Sequence, residues 1–213
     1  MIVTAPELIL GVTGSIAAYR AGDLLRHLRD AGYGVTCILT PRATKFIAPL
    51  TLQALSERKV YTDLFELDGT PIAHMTLSER ARLVLVAPAT ANIIGKLANG
   101  LADDLLSCTL LATRAKIVFA PAMNVYMWQH PSVQRNVTAL KRFGHRFIGP
   151  DVGKLACGYE AIGHLAEIEE IVRIVKQLVP IPGAPAAARS SAPAPARPRA
   201  KANPAKASKR TSR

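Results

Sequence analysis

Short apolar, β-branched segments alternating with longer helical patterns predict an α/β domain: a parallel sheet covered by helices on both faces, in three layers. Two observations carry that reading. Apolar runs at residues 8–12, 35–39, 83–86 and 116–120 are too short for helices, and helical periodicity resumes after each. The glycine, proline, hydroxyl and amide residues that punctuate the chain fall just after these runs, where a parallel sheet gathers its strand ends.

The elements follow in order. After residues 8–12 comes the turn Thr13-Gly14-Ser15, and residues 16–28 have a helical pattern. Residues 35–39 give a second strand closed by Thr40-Pro41, and residues 43–55 read as helical pieces that Pro49 is expected to interrupt. A third strand covers 83–86 and is expected to end at Pro88, ahead of helices over 93–98 and 103–113. The fourth strand, 116–120, stops at Pro121, and a helix follows Pro131. Residues 145–148 supply a fifth strand and residues 168–178 the last helix. Right-handed crossovers place all strand C-termini on one edge, the edge where open α/β sheets bind ligands.

The chain has 213 residues and is 49% apolar, enough for one core of good size. Cys37, Cys108 and Cys157 are odd in number and lack a close CxxC pair, which argues against a disulfide framework and a four-cysteine zinc site, and for a reducing compartment. No apolar run is long enough for a membrane span or a signal-peptide core, so a cytoplasmic protein without membrane attachment is expected.

Net charge is +12, which ordinarily suggests a polyanionic partner. The distribution argues otherwise. Arg189, Arg197, Arg199, Lys201, Lys206, Lys209, Arg210 and Arg213 all lie beyond residue 180 with no Asp or Glu among them, which leaves +4 for the rest. The expected division is a folded domain over 1–180 and a disordered Ala/Pro/Lys/Arg-rich tail over 181–213, with nucleic acid not expected as a partner.

At the first strand-to-helix junction, Gly14, Ser15 and the following Ile16 can present backbone N–H groups and a hydroxyl to a phosphate at the positive end of a helix. A plain N-cap by Thr13 or Ser15 explains the same residues. Thr40 stands where a dinucleotide site commonly has an acid for the ribose, which favours a mononucleotide such as FMN over NAD. In the loop Pro88-Ala89-Thr90-Ala91-Asn92, Thr90 can bind phosphate and Asn92 a ring or ribityl oxygen, or both can cap the next helix.

The stretches GVTGSIAAYR (11–20), PLTLQALS (49–56), YTDLF (61–65), PIAHM (71–75), APATANIIGKLANGLADDLL (87–106), PAMNVYMW (121–128) and LACG (155–158) cover most of residues 8–179. With them the sequence closely resembles the homo-oligomeric flavin-containing cysteine decarboxylases, in particular the domain that opens the bacterial bifunctional coenzyme A biosynthesis flavoprotein. The resemblance implies a Rossmann-like or flavodoxin-like form of the three-layer fold, FMN as cofactor, and assembly as a homotrimer or homododecamer with active sites between subunits.

It also implies a reaction: decarboxylation of 4′-phospho-N-pantothenoyl-L-cysteine to 4′-phosphopantetheine and carbon dioxide. A simple α-carboxylate has no sink for the carbanion left by carbon dioxide. Oxidising the cysteine side chain to a thioaldehyde, with FMN as acceptor, lets the charge delocalise as an enethiolate. By resemblance, His74 handles the thiol proton and Asn124 binds the carboxylate. Cys157 then protonates the enethiolate from a mobile clamp over residues 151–163, before the hydride returns. Gly14, Ser15, Ile16, Thr40, Pro88, Thr90, Ala91 and Asn92 are the expected cofactor contacts, and Ala122, Met123, Asn124 and Met127 the expected substrate contacts. Met123 and Met127 otherwise read as core gap-fillers and Trp128 as a core or interface anchor, while Cys37 and Cys108 read as core.

Three features depart from the resembled pattern. Ser15 stands where relatives often have a further glycine, and His164 where they often have Arg or Lys. No synthetase domain follows, so the synthetase that makes the substrate is expected to be a separate protein. The alternatives are a peptide cysteine decarboxylase, a prenyl-flavin synthase, or a noncatalytic FMN-binding regulatory protein.

Overall fold

The computed structural model describes residues 5–65, 73–154, 158 and 160–181. Six parallel strands form one sheet in the order β3-β2-β1-β4-β5-β6. They are β1 (Glu7–Val12), β2 (Gly34–Leu39), β3 (Val60–Tyr61), β4 (Leu83–Ala89), β5 (Lys116–Pro121) and β6 (Arg146–Phe147). Of the two expected doubly wound forms, this is the Rossmann strand order, with its switch point between β1 and β4. A separate antiparallel hairpin pairs β7 (Asp151–Lys154) with β8 (Glu160–His164).

Strand alternation sends side chains into two cores. Leu8, Leu10 and Val12 of β1, with Leu83, Leu85 and Ala87 of β4, pack under α1 (Ala21–Asp30), α2 (Pro49–Ser56) and α8 (Ile168–Leu178). Ile9, Val84 and Val86 face the other way, against α3 (Ala73–Arg80), α4 (Ala91–Ala98), α5 (Leu105–Ala112) and α7 (Pro131–Arg142). Two helices show why the outer layers hold. Ala21, Leu24, Leu25 and Leu28 of α1, and Ile168, Ile171, Val172 and Val175 of α8, recur at helical spacing and are buried on the sheet. After α8, Tyr33 donates to the Val179 carbonyl at 2.6 Å and pins the chain end of this layer.

Several expectations need correction. Pro49 opens α2 at its first turn, where its missing N–H costs nothing, and the segment before it is a 3-10 turn over Ala43–Lys45. β4 does not end at Pro88 but continues to Ala89, with a register shift between Val86 and Ala89 that accommodates the proline. Residues 16–28 divide into a 3-10 turn, Ile16–Arg20, and α1. β3, α3 and the β7–β8 hairpin were not expected as elements. The expected tail lies almost wholly outside the described residues, as does Cys157. Among the described residues no helix is long and apolar enough to cross a membrane.

Candidate active site

At the switch point the ends of β1 and β4 are joined by one side chain. The buried Thr13 hydroxyl donates to the Pro88 carbonyl at 2.7 Å and accepts from the Thr90 N–H at 3.1 Å. Thr13 therefore fixes the spacing of the two loops that carry the expected cofactor contacts.

Around that clasp, Gly14 has no room for a side chain: an added Cβ would lie 2.6 Å from Cβ of Arg42, so the loop after β1 runs flush against the loop after β2. The Ser15 hydroxyl accepts from Ala17 N–H at 3.4 Å and donates to the Ala122 carbonyl at 3.2 Å, which caps the 3-10 turn and ties the β1 loop to the β5 loop. The capping role left open in the sequence is thus realised at Ser15, whereas Thr13 serves as the clasp. Thr40 is buried, its hydroxyl accepting from Ala43 N–H at 3.3 Å.

Thr90 occupies the N-cap position of α4 without making a side-chain capping bond, so its hydroxyl stands uncommitted beside the Thr13 clasp. Ala91 follows in the first turn, whose N–H groups have no intrahelical acceptor, and Asn92 is exposed there.

The β5 loop leads to a short helix, α6 (Val125–Gln129), capped by Asn124, whose Oδ1 accepts from Tyr126 N–H at 2.9 Å. That bond holds the Asn124 side chain beside the helix end. Met123 and Trp128 pack against the second core, in line with their expected packing role. Met127 is not a gap-filler: it is half exposed.

A cleft of about 620 Å³ lies between these loops and the hairpin, within the ~300–1,000 Å³ usual for small-molecule sites. Ser15, Ile16, Ala122, Met123 and Asn124 line it. The hairpin contributes Lys154, Gly158, Gly163 and His164, and the turn after β1 contributes Tyr19 and Arg20. Gly14, Thr40, Pro88, Thr90, Ala91, Asn92 and Met127 are not in its lining. His74 is also outside it, half-buried in the first turn of α3. Since α3 leads back to the start of β4, that turn lies toward the edge where the strands end.

Sequence reasoning missed Lys154 and Arg20, and did not foresee that His164 would stand beside Asn124. The Met123 N–H donates to the Gly163 carbonyl at 3.0 Å, joining hairpin to loop. This long-range pairing has no local signature in the sequence.

The residues present fit a flavin mononucleotide. The β1 loop is too close to Arg42 to carry a side chain at Gly14, Thr90 offers an uncommitted hydroxyl at a helix start, and apolar walls from Ile16 and Met123 adjoin a polar Asn124. Of the described cysteines neither is a ready proton donor. Burial pushes the Cys37 thiol up to about 12, and the Cys108 thiol is raised by burial and then by the Asp104 and Asp103 carboxylates. Cys108 is only partly buried, not the core residue expected, and donates to the Ala102 carbonyl at 3.3 Å.

A family model described as Flavoprotein matches residues 3–180. The chain belongs to the flavoprotein family. This flavoprotein is 50% identical over 172 residues to the coenzyme A biosynthesis bifunctional protein CoaBC of Bacillus subtilis, covering 80% of this chain and 42% of that protein. It thus spans about two-fifths of that bifunctional relative. It is 41% identical over 174 residues to a probable phosphopantothenoylcysteine decarboxylase of Streptococcus mutans, covering 80% of this chain and 97% of the relative.

Among solved structures, the flavoprotein is similar to a PPC decarboxylase mutant complexed with pantothenoylaminoethenethiol. The TM-score is 0.74 at 32% identity, with 81% of this chain and 97% of the other covered. It is also similar to the FMN-dependent cysteine decarboxylase SpaF, with a TM-score of 0.72 at 32% identity, covering 83% and 98% of the two chains.

Proposed function

We propose that this flavoprotein is a phosphopantothenoylcysteine decarboxylase. It uses FMN to convert 4′-phospho-N-pantothenoyl-L-cysteine to 4′-phosphopantetheine and carbon dioxide in coenzyme A biosynthesis, in the cytoplasm. The observation that carries this reading is the near full-length match to the Streptococcus mutans relative, joined to a cleft in which the Asn124 loop meets the β1 loop.

Gly14, Ser15, Ile16, Thr40, Pro88, Thr90, Ala91 and Asn92 hold the cofactor, the Thr13 clasp keeping the β1 and β4 loops in register. When bound, FMN supplies the two-electron acceptor without which the α-carboxylate has no electron sink. Asn124, oriented by its bond to Tyr126 N–H, donates to the substrate carboxylate from its amide. Ala122, Met123 and Met127 complete the substrate contacts. His74 takes the thiol proton, and Cys157, which lies outside the described residues, returns a proton to the enethiolate.

Ile16 and Tyr19 in the cleft lining, and Tyr126 and Met127 on the helix that follows Asn124, are all at least half exposed, an apolar surface that supports covering by a second copy. The proposed assembly is a homotrimer or homododecamer in which His74 reaches a neighbour's cleft, with residues 1–180 as the catalytic unit and 181–213 as an appended tail. A synthetase, as a partner or as a linked domain, supplies the substrate.

Mass analysis of the products from phosphopantothenoylcysteine, alongside a peptide ending in cysteine, tests the reading. Conversion of the first and not the second supports it; the reverse preference contradicts it. Light scattering tests the assembly, which a mass below three chains contradicts.

A further inference from the structure

The edge of the sheet where the strands begin, opposite the cleft, is cationic. Register brings the starts of β1, β4 and β5 level, since Leu8 pairs with Leu83 and Leu83 with Lys116. Three cavities of about 500, 720 and 300 Å³ adjoin along this edge; the first two share Ala81, the first and last share Arg80, and the last two share Arg82. Their walls carry Arg58, Lys59, Arg80, Arg82, Arg114 and Lys116 against two acids, Glu7 and Glu79. Glu7 is taken up by a two-pronged pair with Arg58. Arg80, Arg82, Arg114 and Lys116 are exposed and make no ion pair among the described residues.

Six cations against two acids leave +4, as large as the net charge of residues 1–180 together. The chain also leaves the folded domain here, for Val179 and Pro180 line the same cavity as Arg80 and Arg82. Eight more cations and no acid follow in the sequence. The argument against a polyanionic partner rests on the excess charge belonging to the tail; the fold instead collects the remainder on the edge from which that tail departs.

We infer that this edge, with the cationic chain that follows Pro180, docks double-stranded nucleic acid through its phosphates, without reading sequence. The inference is independent of the proposed decarboxylation and leaves the cleft free. The cations follow a line: they precede or open β3, β4 and β5, and from β3 to β5 the sheet takes four inter-strand steps, roughly 19 Å, the length of about five to six base pairs of duplex. Four arginines among the six suit phosphate oxygens. A lipid surface is matched less well, because it calls for apolar side chains that insert beside the cations. Met75 is the one exposed large apolar residue of the described linings, and residues 182–213 contain no aromatic, Leu, Ile, Val or Met. Tyr61, the one aromatic of these linings, is partly buried with Lys59 over its ring, so the edge lacks a stacking platform for unpaired bases.

The test is the fluorescence anisotropy of a labelled DNA duplex of about 20 base pairs, titrated with the full chain between about 50 and about 200 mM KCl. Four edge cations free of carboxylates predict a slope of log K against log [KCl] of about −3.6 or steeper. Arg80→Ser, Arg82→Ser and Arg114→Ser combined in the full chain make the slope shallower by about 2.7 and weaken binding about tenfold or more, while the melting temperature stays that of the wild type. Lys116→Glu alone weakens binding in the same direction and decides the matter if the triple variant does not fold. No binding at about 50 mM KCl, or an affinity independent of salt, overturns the inference. An unchanged slope and affinity in both variants also overturns it, since the tail alone then makes the contact. Preference for vesicles of about 30% anionic phospholipid over the duplex, at equal phosphate concentration, overturns it in favour of a membrane surface.

Discussion

The Thr13 hydroxyl and the Pro88 carbonyl meet at 2.7 Å across the switch point of the sheet, and the same oxygen receives the Thr90 N–H at 3.1 Å. One buried hydroxyl thus sets the distance between the two loops proposed to hold FMN. Thr13→Val keeps the shape and removes both bonds, stranding a carbonyl and an N–H. The expected loss is about 1–3 kcal/mol of stability with weaker FMN retention. Thr13→Ser keeps the oxygen and most of both properties. Thermal denaturation and fluorescence titration with FMN measure the two effects.

Gly14 makes the neighbouring contact by absence of a side chain. Gly14→Ala forces Cβ to within 2.6 Å of Arg42 Cβ, so the loop has to move, and FMN affinity is expected to fall about tenfold or more. Arg42→Gly in the same chain removes the opposing carbon and recovers part of the loss. Equal FMN affinity in wild type and Gly14→Ala contradicts this account.

Asn124 caps α6 and is also proposed to bind the substrate carboxylate, two roles that substitution can separate. Asn124→Asp retains an oxygen for the Tyr126 N–H, so helix α6 stays capped, but it sets a carboxylate against the substrate's own. The melting temperature is expected to hold while kcat/KM falls about a hundredfold or more. Parallel steady-state kinetics and thermal melts give the comparison.

Much of the fold was legible in the sequence because its signals are strong and local. The period of residues 168–178 delimits α8, and the apolar runs delimit β1, β2 and β5 to within a residue or two. β3 has only two residues and takes its pairing from β2, which leaves little pattern to read, whereas β6, equally short, falls within the strand expected over 145–148. The hairpin strands are mostly exposed and contain Asp, Lys, Glu and Gly, so they lack the apolar alternation of a half-buried strand. At the candidate site, residue types pointed to the edge where the strands end, and side-chain geometry added structural roles that the types alone leave open. Thr13 became the clasp and Thr40 a cap within its own loop. Contacts between distant segments, such as His164 beside the Asn124 loop, carry no local trace.

Lys96 bridges two carboxylates ahead of α5, with Nζ at 2.5 Å from Asp103 and 2.6 Å from Asp104. The Lys96 hydrogen bond holds the Asp103 carboxyl below its usual range. Burial works against the Lys96 charge, but its hydrogen bonds to Asp103 and Asp104 leave its pKa raised. A lowered acid adds stability above its unfolded value, near 3.9, that disappears as pH falls through the folded one. A raised lysine adds stability below its unfolded value, near 10.4, that is lost as pH rises past it. Lys96→Met is therefore expected to narrow the stability gap to wild type below about pH 4, as read by urea denaturation across pH. A gap that stays constant into acid contradicts the assignment.

Cys157 is the remaining thiol once Cys37 and Cys108 are set aside as poor proton donors. Cys157→Ser is expected to release carbon dioxide but stop at an oxidised enethiol, detectable by mass two hydrogens below 4′-phosphopantetheine. A Cys157→Ser protein that still makes fully reduced product contradicts the proton-donor role.

The central claim is tested most directly by quantifying carbon dioxide and product from 4′-phospho-N-pantothenoyl-L-cysteine with purified protein and a catalytic amount of FMN. The account predicts equimolar carbon dioxide and 4′-phosphopantetheine over many turnovers, with FMN recovered oxidised and unchanged. FMN-loaded protein that releases no carbon dioxide from this substrate would contradict it.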